Sequence, residues 1–154
     1  MRELDQLSYY CCMAKIRKIA AGAIDSALRD VTRQYLVGDL QKPQMLQHVP
    51  SSLIEIGITR YGAELGRELP HTHREAFEFQ YMLAGETAYL DMLTEEEHVF
   101  RKGDFYVIEP GVVYAQKSQP DTEILFIKVP PGNDKVVTPI TAELGKWFEK
   151  PIEE

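Results

Sequence analysis

The first third of the chain carries apolar residues at a helical spacing. From Met13 to Val37, isoleucine, alanine, leucine and valine recur every three or four positions, which predicts one amphipathic helix. Gly22 weakens the middle of this pattern, and Gly38 is a residue type that often follows a helix end. We therefore expect a helical extension over residues 1–45 that packs on the rest of the domain or on a partner subunit.

Beyond Pro50 the pattern changes to short runs of β-branched and aromatic residues, several of which alternate with polar ones. Such runs, separated by turns rich in glycine, proline and acidic residues, are typical of β-strands. The predicted strands cover residues 53–61, 77–83, 87–93, 105–108, 114–118 and 123–129. Many short strands at close spacing predict an antiparallel sandwich or barrel over residues 46–135.

The C-terminal tail, residues 136–154, contains a pattern for a second, short helix. Thr141 is a residue type that caps helix N-termini, and it precedes this pattern. Trp147 and Phe148 lie near its end. Because exposed aromatic clusters are unfavourable, we expect both rings to cover one end of the barrel or a subunit seam.

The main candidate for chemistry is a pair of histidines one residue apart, His71 and His73. In an extended strand, residues i and i+2 point to the same face, so both imidazoles can reach one point. Glu78 begins the next strand, and alternation places Gln80 and Met82 on its face. Two imidazoles and a carboxylate suit Zn, Fe(II), Mn, Ni or Co. A solvated strand with no metal is the alternative interpretation of the histidine pair.

This stretch resembles the first motif of the cupin superfamily, written G-x5-H-x-H-x(3,4)-E-x6-G. His71, His73, Glu78 and Gly85 occupy the motif positions, whereas Gly66 lies one residue too close to the first histidine. The resemblance implies an all-β fold, an antiparallel double-stranded β-helix (cupin jelly-roll barrel) with an N-terminal α-helix and a short C-terminal helix. It also implies one divalent transition metal, Zn, Fe, Mn or Ni, held by the two histidines and the glutamate.

The second cupin motif, G-x5-P-x-G-x2-H-x3-N, is present in altered form. Gly103 and Gly111 match it, but Glu109 stands at the proline position and Ser118 at the asparagine position. The histidine that provides the fourth metal ligand in this family is replaced by Tyr114. A tyrosine there can ligate the metal as a phenolate, act as an acid over the substrate, or mark a site that has lost its metal.

The same resemblance suggests roles for further side chains. Tyr114 and Glu109 are the candidate catalytic residues, although a turn glutamate such as Glu109 can also be merely solvated. Gln80, Gln116 and Met82 are the candidate substrate contacts. We expect an enzyme acting on a small carbohydrate or a hydroxy or keto acid by isomerase- or epimerase-type Lewis-acid chemistry. The alternatives are a non-catalytic ligand-binding or regulatory cupin and an Fe(II)-dependent dioxygenase.

Composition narrows these possibilities. A chain of 154 residues fits one domain. Its net charge of −7 argues against a nucleic-acid surface. The alternative is a DNA-binding role, since some regulators carry a helix-turn-helix fused to a cupin. No apolar run reaches the ~20 residues of a membrane span. The acidic N-terminus lacks a signal core, and the adjacent Cys11 and Cys12 suit reduced, buried thiols. We expect a cytoplasmic homodimer that binds a small molecule and neither nucleic acid nor membrane.

Overall fold

The computed structural model of the protein describes residues 15–153. Its elements are α1 (Ala21–Ala27), β1 (Arg33–Gly38), β2 (Val49–Pro50), β3 (Glu55–Arg60), β4 (Gly66–His73), β5 (Phe77–Ala84), β6 (Glu86–Asp91), β7 (Glu97–Arg101), β8 (Phe105–Ile108), β9 (Tyr114–Ser118), β10 (Glu123–Val129), β11 (Lys135–Val137) and α2 (Ala142–Glu149).

The strands form two sheets that face each other. The six-stranded sheet has the order β2-β1-β3-β10-β5-β8, and the five-stranded sheet has the order β11-β4-β9-β6-β7. From β3 to β6, and again from β7 to β10, each strand lies in the sheet opposite to the one before it. All described strand pairs except β1 with β2 are antiparallel. The predicted antiparallel jelly roll is therefore confirmed.

The inner faces of the two sheets enclose a core that is unusually rich in tyrosine. The alternation predicted for β5 is confirmed, because Gln80 and Met82 are buried whereas Tyr81 between them is 41% exposed. The central cluster contains Tyr61, Met82, Tyr89, Tyr106, Tyr114 and Ile124. Buried tyrosines bring hydroxyl groups that need partners, so this interior is suited to polar chemistry.

The helix predicted from Met13 to Val37 is wrong over most of its length. Within the described residues, α1 covers only Ala21–Ala27, and Arg33–Gly38 forms β1, which pairs antiparallel with β3. The apolar spacing of this stretch fits a helix, but a strand there pairs with β3, and tertiary pairing outweighs local propensity. This part of the expected extension over residues 1–45 thus belongs to the sheet. Cys11, Cys12, and the start of the predicted helix lie outside the described residues.

The C-terminal helix is confirmed, and Thr141 caps it by accepting a hydrogen bond from the Leu144 backbone N–H at 3.2 Å. Trp147 and Phe148 pack with Ala88 and Ala115 on the outer face of the five-stranded sheet. They therefore cover a sheet face, not an end of the barrel. Neither helix of the described residues is long and apolar enough to cross a membrane.

Candidate metal centre

The three predicted ligands converge inside the barrel. His71 and His73 lie on β4, and β5 brings Glu78 from the facing sheet. Their ligand atoms all lie within 4.8 Å of one another. The Nε2 atom of His73 is 3.0 Å from Glu78 Oε1, and the two histidines are only 1% and 8% exposed. Imidazole nitrogens and a carboxylate at this separation fit a divalent transition metal.

The second ring nitrogen of each histidine is already engaged. His71 Nδ1 lies 2.7 Å from the Leu69 carbonyl oxygen, and His73 Nδ1 lies 2.6 Å from Asp134 Oδ1. The other oxygen of Asp134 accepts backbone N–H groups of residues 75 and 76 at 3.0 and 2.9 Å. These contacts engage both Nδ1 atoms and leave the Nε2 atoms as the metal-binding nitrogens, as is usual for ligating histidines; in the absence of a metal, His73 Nε2 contacts Glu78 instead.

The electrostatics around the three ligands show where protons lie without a metal. Burial lowers the pKa of His71, which therefore favours the neutral ring that a metal needs. Burial also lowers the pKa of His73, but its hydrogen bonds to Glu78 and Asp134 outweigh this effect and hold the pKa above its ordinary value. Conversely, burial raises the pKa of Glu78, and hydrogen bonds from His73 and Tyr114 bring it below the ordinary range. A metal would thus compete with a proton on His73.

Tyr114 lies beside the three ligands on β9. Its hydroxyl donates a hydrogen bond to Glu78 Oε1 at 2.7 Å, and its ring centre is 4.5 Å from that of His71. Burial raises the pKa of Tyr114 well above its ordinary value, and the nearby Glu78 carboxylate raises it further. In the metal-free protein the side chain is therefore a protonated donor that orients Glu78.

The three ligands open onto a cavity of about 120 Å³. Gln80 and Gln116, the predicted substrate contacts, both line it. Gln80 is largely occupied, since its Oε1 accepts the Tyr89 and Tyr106 hydroxyls at 3.1 and 3.0 Å and its Nε2 donates to Glu78 Oε2 at 3.3 Å. Its contacts suit a residue that positions Glu78.

The structure does not bring Met82 and Glu109 into this cavity. Met82 is fully buried in the tyrosine-rich core. Glu109 is exposed and lines a second cavity, of about 290 Å³, that shares the Tyr89 and Tyr114 side chains with the first. Neither residue lines the first cavity, and their predicted roles stay predictions.

The sequence did not predict several of the charged side chains that line the cavity. Glu68 is the clearest case, because regular alternation would turn it away from His71. A β-bulge between the pairs Glu68–Gln116 and His71–Tyr114 adds one residue to β4 and turns Glu68 inward. There Glu68 forms an ion pair with Arg33, which the mistaken helix assignment had hidden.

Comparison with known proteins agrees with this architecture. Residues 61–129 match the model of the Cupin_2 family, described as a cupin domain. No curated protein sequence matches the chain.

Many solved structures share its fold, and three of them show the likeness. An uncharacterized conserved protein with a double-stranded β-helix domain from Klebsiella pneumoniae is 12% identical, with a TM-score of 0.56 over 82% of this chain and 100% of its own. A cupin-like protein from Thermotoga maritima is 18% identical, with a TM-score of 0.55 over 75% of this chain and 82% of its own. A protein from Neisseria meningitidis is 13% identical, with a TM-score of 0.53 over 73% and 99%. Residues 61–129 thus match a cupin domain, and the chain shares its fold with these structures.

Proposed function

We propose that the protein is a metal-dependent cupin enzyme that isomerises or epimerises a small polar substrate. The observation that carries this proposal is the convergence of His71, His73 and Glu78 in a buried cavity, with the Nδ1 atom of each histidine engaged elsewhere. A triad of this kind leaves coordination positions open for a substrate. A metal held there would polarise a carbonyl or hydroxyl oxygen of the substrate as a Lewis acid.

The chain's own residues provide the remaining functions. Tyr114 is the proposed acid, because its hydroxyl lies beside the three ligands and donates a hydrogen bond to Glu78. The proposed base is Glu68, whose Oε2 lies 3.9 Å from His71 Nε2. Burial raises the pKa of Glu68, but the positive charges of Arg33 and Lys135 outweigh it and keep the carboxylate ionised. An acid and a base on the same cavity are what proton transfer between neighbouring carbons requires.

The first experiment is elemental analysis of the purified protein and of its His71→Ala and Glu78→Gln variants. We expect near one equivalent of a transition metal in the wild type and loss of that metal in both variants. Glu75→Gln is the matched control, because its side chain is exposed in the same segment and should leave the metal content unchanged. A wild type that takes up no metal, even after reconstitution, would overturn the proposal.

Turnover assays then separate the three classes of function. Keto sugars and hydroxy acids serve as substrates, and oxygen uptake is followed in parallel. Isomerised product without oxygen uptake supports the proposal. Oxygen consumption by an iron-loaded protein supports the dioxygenase alternative, and tight ligand binding without turnover supports a binding or regulatory role.

The homodimer and the cytoplasmic location stay predictions. Phe77, Tyr81 and Phe105 are 41%, 41% and 62% exposed on the outer face of the six-stranded sheet, which is compatible with a subunit contact. Size-exclusion chromatography that shows a clean monomer would count against the homodimer.

A further inference from the structure

One buried hydroxyl in the cavity lacks a partner. Tyr61 is only 7% exposed and lines the cavity. Within residues 15–153, its Oη is the single buried side-chain polar atom that makes no hydrogen bond. Gln116 and Ser118 lie close enough to lower its pKa, but neither meets the geometry of a hydrogen bond to it. They bond instead to each other at 3.1 Å and to Thr87 at 3.0 and 2.8 Å. Buried polar atoms are nearly always paired, so this one is available to a ligand.

The position of this hydroxyl is fixed by the backbone around it. The Tyr61 ring packs directly on Gly66, where an added Cβ would lie 2.0 Å from a ring carbon. The Tyr61 backbone N–H donates to the Thr122 carbonyl at 2.9 Å. Burial raises the pKa of Tyr61, so the hydroxyl keeps its proton. It is therefore a rigidly placed donor that requires an acceptor oxygen.

The charges near Tyr61 define the kind of acceptor. Glu68 carries one negative charge and pairs with two cations, Arg33 and Lys135, the latter at 3.6 Å. This side of the cavity thus has one positive charge in excess. Arg33 uses Nε for Thr59 Oγ1 at 2.9 Å and one Nη2 hydrogen for Glu68, so further N–H groups of the guanidinium remain to bind an anion.

The other cation of the cavity wall adds nothing to this excess. Lys128 pairs with Glu55 at 3.0 Å, and both side chains are largely buried. The surplus positive charge is therefore localised on the side of Tyr61. A carboxylate there would receive a neutral hydrogen bond from the tyrosine and a charge-assisted one from the arginine.

We propose that Tyr61, Arg33 and Lys135 form a carboxylate subsite, so that the substrate is a small hydroxy or keto acid and not a neutral sugar. This inference rests on the proposed function, because it names the substrate class of the same cavity. The carboxylate binds at the Tyr61 side, and the hydroxyl or keto oxygen of the acid faces His71, His73 and Glu78.

Calorimetric titration tests the subsite. The probes are glycolate, lactate and pyruvate, each compared with its neutral amide. We expect the acids to bind at least about ten-fold more tightly than the amides, and Tyr61→Phe to remove about ten-fold of the acid affinity while the metal content stays unchanged. The subsite would be overturned if acids and amides bound with equal affinity, or if the affinity for acids were the same in the Tyr61→Phe variant as in the wild type.

Titration of both the metal-loaded and the chelator-treated protein separates the two proposals. If the protein takes up metal but shows no preference for acids, the subsite fails and the metal centre stands. If acids bind in a Tyr61-dependent way although the protein takes up no metal, the metal-dependent enzyme fails and the subsite stands.

Stability without ligand gives an independent readout. Because an unpaired buried hydroxyl is unfavourable, Tyr61→Phe should leave the thermal midpoint unchanged or raise it. Tyr106→Phe is the matched control, since its hydroxyl bonds to Gln80 at 3.0 Å and its loss should lower the midpoint. A fall in the Tyr61→Phe variant as large as in the control would show that the hydroxyl has a structural partner, and would overturn the proposal.

Discussion

His73 Nδ1 lies 2.6 Å from Asp134 Oδ1, although the two residues are 61 positions apart in the chain. Asp134 also accepts backbone N–H groups of residues 75 and 76, so it joins the segment after β10 to the turn between β4 and β5. The carboxylate thus fixes both the ring orientation of His73 and the turn that leads to Glu78. Loss of this carboxylate should therefore lower the metal affinity of the site more than it lowers the stability of the fold.

Asp134→Asn is therefore expected to weaken metal binding about 10- to 100-fold with the stoichiometry unchanged, since carboxylate partners of ligating histidines have effects of this size. Competition against a chromophoric chelator measures the change. Asp121→Asn, in the exposed turn between β9 and β10, is the control and should bind metal like the wild type. An Asp134→Asn protein with wild-type affinity would show that the contact does not orient His73.

Tyr114→Phe removes the 2.7 Å hydrogen bond to Glu78 and leaves the ring in place. Because the hydroxyl donates to the carboxylate and is protonated, we expect the variant to keep one equivalent of metal while turnover falls at least about 100-fold, as for loss of a general acid. Elemental analysis and activity assays on the same sample check this. Loss of the metal together with the activity would mean instead that Tyr114 is a ligand.

The ligand triad and most of the barrel could be predicted because they depend on local rules. His71 and His73 share a face through the two-residue period of a strand, and the alternation of β5 correctly placed Gln80 inside. Glycine and proline turns delimited the strands that follow. These signals lie within a few residues of the position they describe.

The features that escaped prediction depend on pairing between distant parts of the chain. The strand Arg33–Gly38 has helical spacing and becomes a strand only by pairing with β3. Glu68 faces the cavity through a bulge that alternation cannot show. Asp134 contacts His73 although it is distant in the chain. The packing of the Tyr61 ring on Gly66 determines where its hydroxyl lies. Each of these required the three-dimensional arrangement.

The metal-free protein should be most stable at mildly acidic pH. The pKa values of Glu78 and Asp134 lie below their ordinary values, so their stabilising effect is present above about pH 4 and is lost as the pH falls through the folded-state values. The pKa of His73 is raised, so its effect is complete below about pH 6.5 and is lost as the pH rises through the folded-state value. The pKa of His71 is lowered, so its effect has the opposite sign and reduces stability as the pH falls below about 6.5. Stability should therefore peak at about pH 6.5.

Urea midpoints measured from about pH 3 to 9, with chelator and with added metal, test this expectation. Bound metal replaces the proton of His73, so the decline on the alkaline side should occur only in the metal-free protein. Asp134→Asn should reduce that decline. An identical alkaline decline with and without metal would contradict the assignment of His73 as a ligand.

Lys117 is a lysine of the five-stranded sheet that is only 4% exposed. Its Nζ donates to the carbonyl oxygens of Trp147 and Lys150 at 3.0 and 3.1 Å and lies 4.2 Å from the centre of the Trp147 ring. These groups belong to the end of α2, where carbonyls lack helical partners and a positive charge is favourable.

Lys117→Met keeps the buried stem but removes the charge and both hydrogen bonds. We expect a loss of about 2–3 kcal/mol in the free energy of unfolding, measured by urea denaturation, because the charge-assisted hydrogen bonds at a buried helix end are lost and the Trp147 carbonyl keeps only the Lys150 backbone N–H at 3.3 Å. Lys146→Met, on the exposed side of α2, should change stability by less than about 0.5 kcal/mol. Since α2 covers the outer face and not the cavity, metal content should be unaffected in both variants. A Lys117→Met protein as stable as the Lys146→Met control would show that apolar packing of Trp147 and Phe148 alone holds α2 on the sheet.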